Sequence, residues 1–275
     1  MAGGSGMSEG AALDTCNEHR LQSAAGTTAP PQVLLLTATI APRVDTYALS
    51  RFDPVARLAD YRKAFAQYLG LVAAEPAVHI VMVENSGAPI DEFVAIARAQ
   101  GLDERVEVLG YAANDDSSFS RFFLEARLLA WAIGHSRLLA LPNAVIWKIT
   151  GRYIVANLSA IIRRQPARFD AYLNFRDYPS PVLDFYIAGF TLKGLKAVID
   201  PARTDYRTTR SGEIILREKI DSGHFDELAV TKRFTVVPDV RGYRGFDNRK
   251  YHGLAQQAKF AARVVANRLL PQVWI

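Results

Sequence analysis

The sequence predicts an α/β fold built on a mainly parallel central sheet. Three observations carry that expectation. Apolar runs of strand length alternate with amphipathic stretches of helical spacing, in the order strand, helix, strand, helix, strand, helix, strand. The runs are apolar at successive positions rather than at every second one, the pattern of strands covered on both faces. Three of them end in polar, turn-forming clusters, where open α/β sheets bind their ligands.

The first run is VLLLTATI, Val33 to Ile40, stopped by Ala41 and Pro42. The next segment opens with Asp53 as N-cap and Pro54 at the first helical position. Its Leu58, Tyr61, Phe65, Tyr68 and Leu69 fall on one helix face. HIVMVENSG, His79 to Gly87, is the second strand, with His79 in a structural position at its start. IDEFVAIARAQGL follows as a helix and VEVLGY, Val106 to Tyr111, as a third strand. The loop NDDSS leads into the apolar helix SRFFLEARLLAWAIGHS, and RLLALPNAVIWKITG holds a fourth strand. The second half is less regular. FDAYLNFRDY, VLDFYIAGF and KRFTVVPDV read as strands, GEIILREKI as a helix, and YHGLAQQAKFAARVVANRLL as a C-terminal helix stopped before Pro271. Residues 1–31, rich in Gly, Ala, Ser and Thr, read as a disordered tail. Residues 32–275 show neither internal repeat nor linker and read as one domain.

Composition narrows the function classes. Of 275 residues, 49% are hydrophobic, enough for a sizeable core. The formal charge of +5 is spread among interspersed acids and bases, which suits an anionic small substrate or an anionic membrane surface. The single cysteine, Cys16, rules out a disulfide framework or a cysteine zinc cluster within the chain and fits a reducing compartment. His19, His79, His135, His224 and His252 show no metal-ligand spacing. Signal-peptide features are missing, and no apolar run nears the ~20 residues of a membrane span. The expectation is a cytoplasmic protein, at most in peripheral contact with the inner face of a membrane. With no G-x-S-x-G elbow, P-loop or G-x-G-x-x-G, hydrolase, NTPase and dinucleotide oxidoreductase chemistry has no motif to rest on.

The strand-end clusters are Thr37-Ala38-Thr39, Glu84-Asn85-Ser86-Gly87 and Lys148-Ile149-Thr150-Gly151-Arg152-Tyr153. A parallel sheet would bring all three to one edge. In the last, Lys148 and Arg152 supply two cations suited to a diphosphate. Thr150 offers a hydroxyl, and Tyr153 a flat face for a base or sugar. Gly151 lets the backbone approach closely or take a positive φ. The alternative is a strand end whose cations point to solvent. The apolar flanks weigh against it, because unpaired buried charge is costly.

The series VLLLTATI, RLADY, VENSG, FLEARLLAWAI and KITGRY, with Asn157 behind it, resembles bacterial GT-A-type glycosyltransferases that build surface polysaccharides. The resemblance implies a GT-A-like, Rossmann-like nucleotide-sugar-binding sandwich. It implies transfer of a sugar from a nucleotide-diphosphate donor to a glycan or lipid-linked glycan acceptor. It places Thr37 and Thr39 at the nucleotide end of the first strand, Arg57 and Tyr61 on the next helix, and Glu84 and Asn85, with Ser86 in the same turn, beside the base or ribose. The chain departs from this family twice. Related sequences carry a Gly-Lys-Gly-Tyr-Gly-Glu-like stretch before the third helix, where this chain reads SSFSRFFLEA and keeps only Glu125. GT-A enzymes commonly hold a divalent cation, magnesium or manganese, through an Asp-x-Asp motif. None occurs here, and Asp115-Asp116 lie too early. Lys148 and Arg152 would then do electrostatically what the metal does elsewhere, with a divalent cation left open as a cofactor. The other reading is a non-catalytic nucleotide- or glycan-binding protein of the same fold.

An inverting transferase needs a general base. Glu213, which opens a helix after a turn, is the first candidate, and Asp170, Asp184 and Glu218 are others. The plain reading of Glu213 is a first-turn acid that favours the helix dipole. RGYRGFDNRKYHG packs five cations, three aromatics and three glycines into one loop. Arg241, Arg244 and His252 would let it close over a diphosphate; otherwise it is a solvated loop. Interleaved Arg and Tyr also suit nucleic acid, but one short patch on a chain of +5 leaves nucleic acid out of the expected partners.

Overall fold

The computed structural model describes residues 29–43, 46, 49–112, 120–178, 181–205, 210–251, 253–270 and 272. Cys16, His19, the NDDSS loop with Asp115 and Asp116, His252, Pro271 and nearly all of the expected tail lie outside them. The first half follows the expected alternation: β1 (Gln32–Ala38), α1 (Pro54–Ala74), β2 (Val78–Glu84), α2 (Asp91–Ala99), β3 (Val106–Gly110), α3 (Arg121–His135) and β4 (Val145–Thr150). Local chemistry sets the helix starts. The Asp53 carboxylate accepts the Val55 N–H at 3.0 Å, ahead of Pro54. The Ser120 hydroxyl accepts the Phe123 N–H at 3.3 Å.

These strands form a mixed, mainly parallel sheet, in which β4, β1, β2 and β3 lie side by side and parallel. Val33 and Leu35 enter the core beneath α3, while Leu34 and Leu36 enter the core beneath α1 and α2. Each such side chain contributes about 1.5–3 kcal/mol when fully buried. Both faces need apolar residues, so the runs do not alternate.

The second half adds β5 (Ile154–Val155), α4 (Leu158–Arg163), β6 (Ala171–Tyr172), β7 (Phe175–Arg176), β8 (Val182–Leu183), β9 (Ile187–Phe190), α5 (Leu192–Asp205), α6 (Gly212–Asp221), β10 (Val230–Thr231), β11 (Val240–Arg241) and α7 (Leu254–Leu269). The full sheet runs β10-β6-β9-β4-β1-β2-β3, with β9 antiparallel to β4 and β6. FDAYLNFRDY and VLDFYIAGF are not single strands. Each splits, giving one piece to the main sheet and one to the separate hairpin of β7 and β8. KRFTVVPDV is almost wholly irregular. Its Phe234 is anchored by side-chain packing, 4.5 Å from the Tyr172 ring, rather than by a strand ladder. The helix α5 was not among the expected elements, and it contains Gly194 and Pro201. Gly194 is required there: a Cβ would lie 1.8 Å from the Asp170 carbonyl oxygen.

Register brings the strand-end clusters together. Thr37 pairs with Thr150, Ala38 with Glu84, and Glu84 with Gly110. No helix among the described residues is long and apolar enough to cross a membrane.

Candidate active site

A cavity of about 1160 Å³ opens at this carboxyl edge of the sheet. Its walls come from the ends of β1 and β4, the first turns of α1, α3 and α6, the segment from Pro238 to Tyr251, and one face of α7.

One end is strongly basic. Arg57 projects from the buried face of α1 and is 4% exposed. It donates to the Thr39 carbonyl at 2.7 Å, the Arg51 carbonyl at 3.2 Å and the Tyr61 hydroxyl at 3.2 Å. Arg152, 7% exposed, lies 4.4 Å over the Tyr153 ring and donates to the Tyr153 hydroxyl at 2.8 Å and to the Tyr243 carbonyl. Neither guanidinium has a carboxylate partner among the described residues. Burial pushes the Arg57 pKa down, and the positive charge of Arg152 pushes it further. Two desolvated cations that repel each other form a hole for an anion.

Helix α1 also aligns the edge. The Tyr61 hydroxyl accepts the Thr39 N–H at 2.8 Å. The Tyr68 hydroxyl donates to the Tyr153 carbonyl at 2.8 Å and accepts the Val155 N–H at 3.0 Å. The Thr39 hydroxyl donates to the Asn85 side chain at 2.6 Å, and Thr37, Thr39, Asn85, Thr150 and Tyr153 all line the cavity. Gly151 does not line it. Its N–H donates to the Thr37 carbonyl at 2.9 Å, and a Cβ would stand 2.8 Å from that oxygen. Its role is the close backbone approach, without positive φ.

Lys148 has a different place from the one its spacing to Arg152 suggested. It is 1% exposed. Its ammonium pairs with Glu125 at 2.8 Å and donates to the Phe185 carbonyl at 2.6 Å. Glu125 in turn accepts from the Thr37 hydroxyl at 2.7 Å. The lysine charge is spent on holding α3 to β1 and β4. Arg57, not Lys148, is the buried cation beside Arg152 that has no carboxylate partner among the described residues.

Three other expected residues lie outside the cavity lining. Glu84 is fully buried, and its carboxylate accepts the Ile40, Ser86 and Ala88 N–H groups at 2.9–3.2 Å, bracing two loops. Ser86 donates to that carboxylate and accepts the Ala41 N–H at 2.9 Å. Asp170 stands at the opposite edge of the sheet, beside Ala171, whose partner Phe190 pairs with Ile146 near the start of β4. Its oxygens accept from the Thr191 hydroxyl at 2.9 Å and the Ala229 N–H at 3.1 Å. Asp170 is therefore no general base for this cavity.

Three carboxyls also line the cavity beside paired cations. Glu213, at the first turn of α6, lines it together with Asp184 and Glu125. Burial raises the Glu213 pKa, the Asp184 charge raises it further, and Lys148 pulls against both. Burial also raises Asp184, against the pull of Arg176 at 3.2 Å. Glu218 is turned away and pairs with Arg210 at 2.8 Å.

The basic loop lies across the basic end. Its Gly245 carbonyl accepts the Ser50 N–H at 2.8 Å, and Tyr243 lies under the Arg51 guanidinium at 4.3 Å. A Cβ at Gly245 would meet Arg152 Nη2 at 2.7 Å and Arg121 Nη1 at 3.1 Å. Arg241 and Arg244 line the cavity but are paired with Asp239 and Asp247. Sequence reasoning passed over Arg121, Gly245, Lys259 and Arg263. The last two sit on a helix whose cavity-facing side carries no distinctive motif.

No family model matches the chain, and no curated protein matches it. Among solved structures it is similar to a Desulfovibrio desulfuricans protein provisionally assigned as a nucleotide-diphospho-sugar transferase, at 12% identity and a TM-score of 0.41 over 74% of this chain and 80% of that one. It is similar to the galactosyltransferase LgtC in complex with donor and acceptor sugar analogues, at 9% identity and 0.43 over 73% and 72%. A third is a glycosyltransferase involved in glycosylation of the major capsid of PBCV-1, at 11% and 0.37 over 74% and 83%. Likenesses this distant carry no weight for activity.

Proposed function

We propose that this chain is a glycosyltransferase that moves a sugar from a nucleotide-diphosphate donor to a glycan or lipid-linked glycan acceptor in surface-polysaccharide synthesis, in the cytoplasm or at the inner face of the membrane. The observation that carries the reading is the pair of buried guanidiniums, Arg57 and Arg152, without carboxylate partners among the described residues, at the carboxyl edge of a mainly parallel sheet. Guanidiniums grip phosphate oxygens in bidentate fashion. The donor diphosphate sits on them, with Asn85 and Thr39 toward the base or ribose and the Tyr153 ring against the nucleotide.

In an inverting transfer, the acceptor oxygen attacks the anomeric carbon. The bond from that carbon to the diphosphate oxygen breaks, and the electron pair leaves with the diphosphate. Arg57 and Arg152 stabilise that leaving charge. The acceptor proton goes to the Glu213 carboxylate, whose raised pKa makes it a stronger base than an exposed glutamate. Among the described residues, no group of three His, Cys, Asp or Glu stands where it could hold a metal ion.

Thermal-shift measurement with UDP, GDP, CMP and dTDP, and with the sugar nucleotides of whichever stabilises, tests the reading. Stabilisation by one nucleotide and turnover of its sugar donor are expected. Stabilisation without turnover of any donor would leave a binding protein, and no response to any nucleotide contradicts the assignment.

A further inference from the structure

On the transferase reading, we propose that the acceptor is itself an anion: the α7 side of the cavity takes a phosphate ester or a carboxylate-bearing sugar. Among the described residues, ten cationic side chains line the cavity against four carboxylates. Five of those cations are neutralised in ion pairs: Lys148 by Glu125, Arg176 by Asp184, Arg210 by Glu218, Arg241 by Asp239 and Arg244 by Asp247. Arg57, Arg121, Arg152, Lys259 and Arg263 are left. A nucleotide-sugar donor brings one negative charge on each of its two phosphates, which matches Arg57 and Arg152. Arg121 stands beside Arg152 across Gly245 and acts on the one remaining carboxylate, Glu213, which leaves Lys259 and Arg263 facing the cavity without an ion pair among the described residues.

Their placement points at the second substrate. Gln256, Lys259, Phe260 and Arg263 all line the cavity, at the spacing of one helix face. The helix α7 contains no acidic residue. Lys259 and Arg263 stand four residues apart, a like-charge spacing that costs an isolated helix a few tenths of a kcal/mol. An anion between them reverses that repulsion. Arg263 acts electrostatically on Asp184, and Arg121 acts on Glu213. Arg263 is therefore close to Asp184, which is itself a neighbour of the Glu213 carboxyl that must meet the acceptor hydroxyl. A neutral glycan would leave Lys259 and Arg263 uncompensated.

The test is calorimetric titration of the full chain, first saturated with pyrophosphate to fill the Arg57 and Arg152 end. Glycerol 1-phosphate and glucuronate are then added separately, with glycerol and glucose as neutral counterparts. One of the two anions is expected to bind in addition to pyrophosphate, and which one binds tells a phosphate ester from an acidic sugar. In the Lys259→Gln/Arg263→Gln variant that second binding should fall about tenfold or more. Pyrophosphate affinity should stay within about twofold, since the proposal gives the donor charge to Arg57 and Arg152 and not to the α7 pair. The proposal is overturned if neither anion binds, if the neutral counterpart binds equally, if the anion merely displaces pyrophosphate, or if the double variant binds undiminished. Failure of the transferase reading looks different. The wild type would not take pyrophosphate, and titration of the second anion alone, with the same α7 variant, would still decide the α7 site.

Discussion

Lys148 and Arg152 sit four residues apart in one motif and do opposite work. Lys148 is a buried ammonium matched to Glu125, so Lys148→Ala leaves that carboxylate beside an apolar core. Removing one partner of a buried pair costs about 3–5 kcal/mol; with Glu125 22% exposed, about 3 kcal/mol is expected. Chemical denaturation measures it. Glu213 is tested by pH. Its pKa is raised, so the base is ionised only as pH climbs past the usual glutamate range. The acidic limb of kcat/KM should lie above that range, and Glu213→Gln should abolish the limb and lower kcat by about 10²–10⁴-fold. Stability moves the other way. The protonated carboxyl suits the fold, and its contribution is full below the unfolded pKa and lost as pH rises through the raised folded value. Glu213→Gln should therefore raise Tm at neutral pH and leave it unchanged near pH 4. Arg57 was legible only through the family resemblance, which placed it on the first helix. The division of labour between Lys148 and Arg152 was not, because spacing cannot say which cation a distant glutamate will take.

Among the elements, the strands and helices up to β4 were legible because each is long and covered on both faces or one. The short strands after β4 were not, because a buried apolar run such as KRFTVVPDV can be held by side chains alone. Asp170 shows the same limit at an element boundary. Burial pushes its carboxyl up, but the Ala229 N–H, the Thr191 hydroxyl and Lys193 hold it below the usual range. It ties the start of α5 to β6, and that contribution is present above the unfolded pKa and lost as pH falls through the lowered folded value. Asp170→Ala should cost about 1–3 kcal/mol in denaturant titration and leave nucleotide affinity unchanged. An effect on affinity at constant stability would return Asp170 to the site. Asn157, quoted in the motif for its position alone, proves to be a brace. Its side chain donates to the Val237 carbonyl at 2.8 Å and accepts the Asp239 N–H at 2.9 Å, setting the basic loop over Arg152.

At the scale of the whole molecule, the carboxyl edge of the sheet gathers buried guanidiniums and carboxyls into one cavity. Guanidiniums that carry the diphosphate charge make donor binding less dependent on a divalent ion. Nucleotide affinity should survive EDTA within about tenfold; a collapse on chelation that manganese restores would reveal a carboxylate ligand for a divalent ion. The central claim is most directly tested by calorimetric titration of the stabilising nucleoside diphosphate into the wild type, Arg57→Ala, Arg152→Ala and Arg152→Lys. Each alanine variant should lose about ten- to hundredfold in affinity, as befits a charge-assisted contact of about 1.5–3 kcal/mol. Lysine should restore only part, because it lacks the planar fork, and the folded fraction should stay that of the wild type. Unchanged affinity in both alanine variants, with the loss appearing in Tm instead, would contradict the account and make the two arginines braces of the sheet edge.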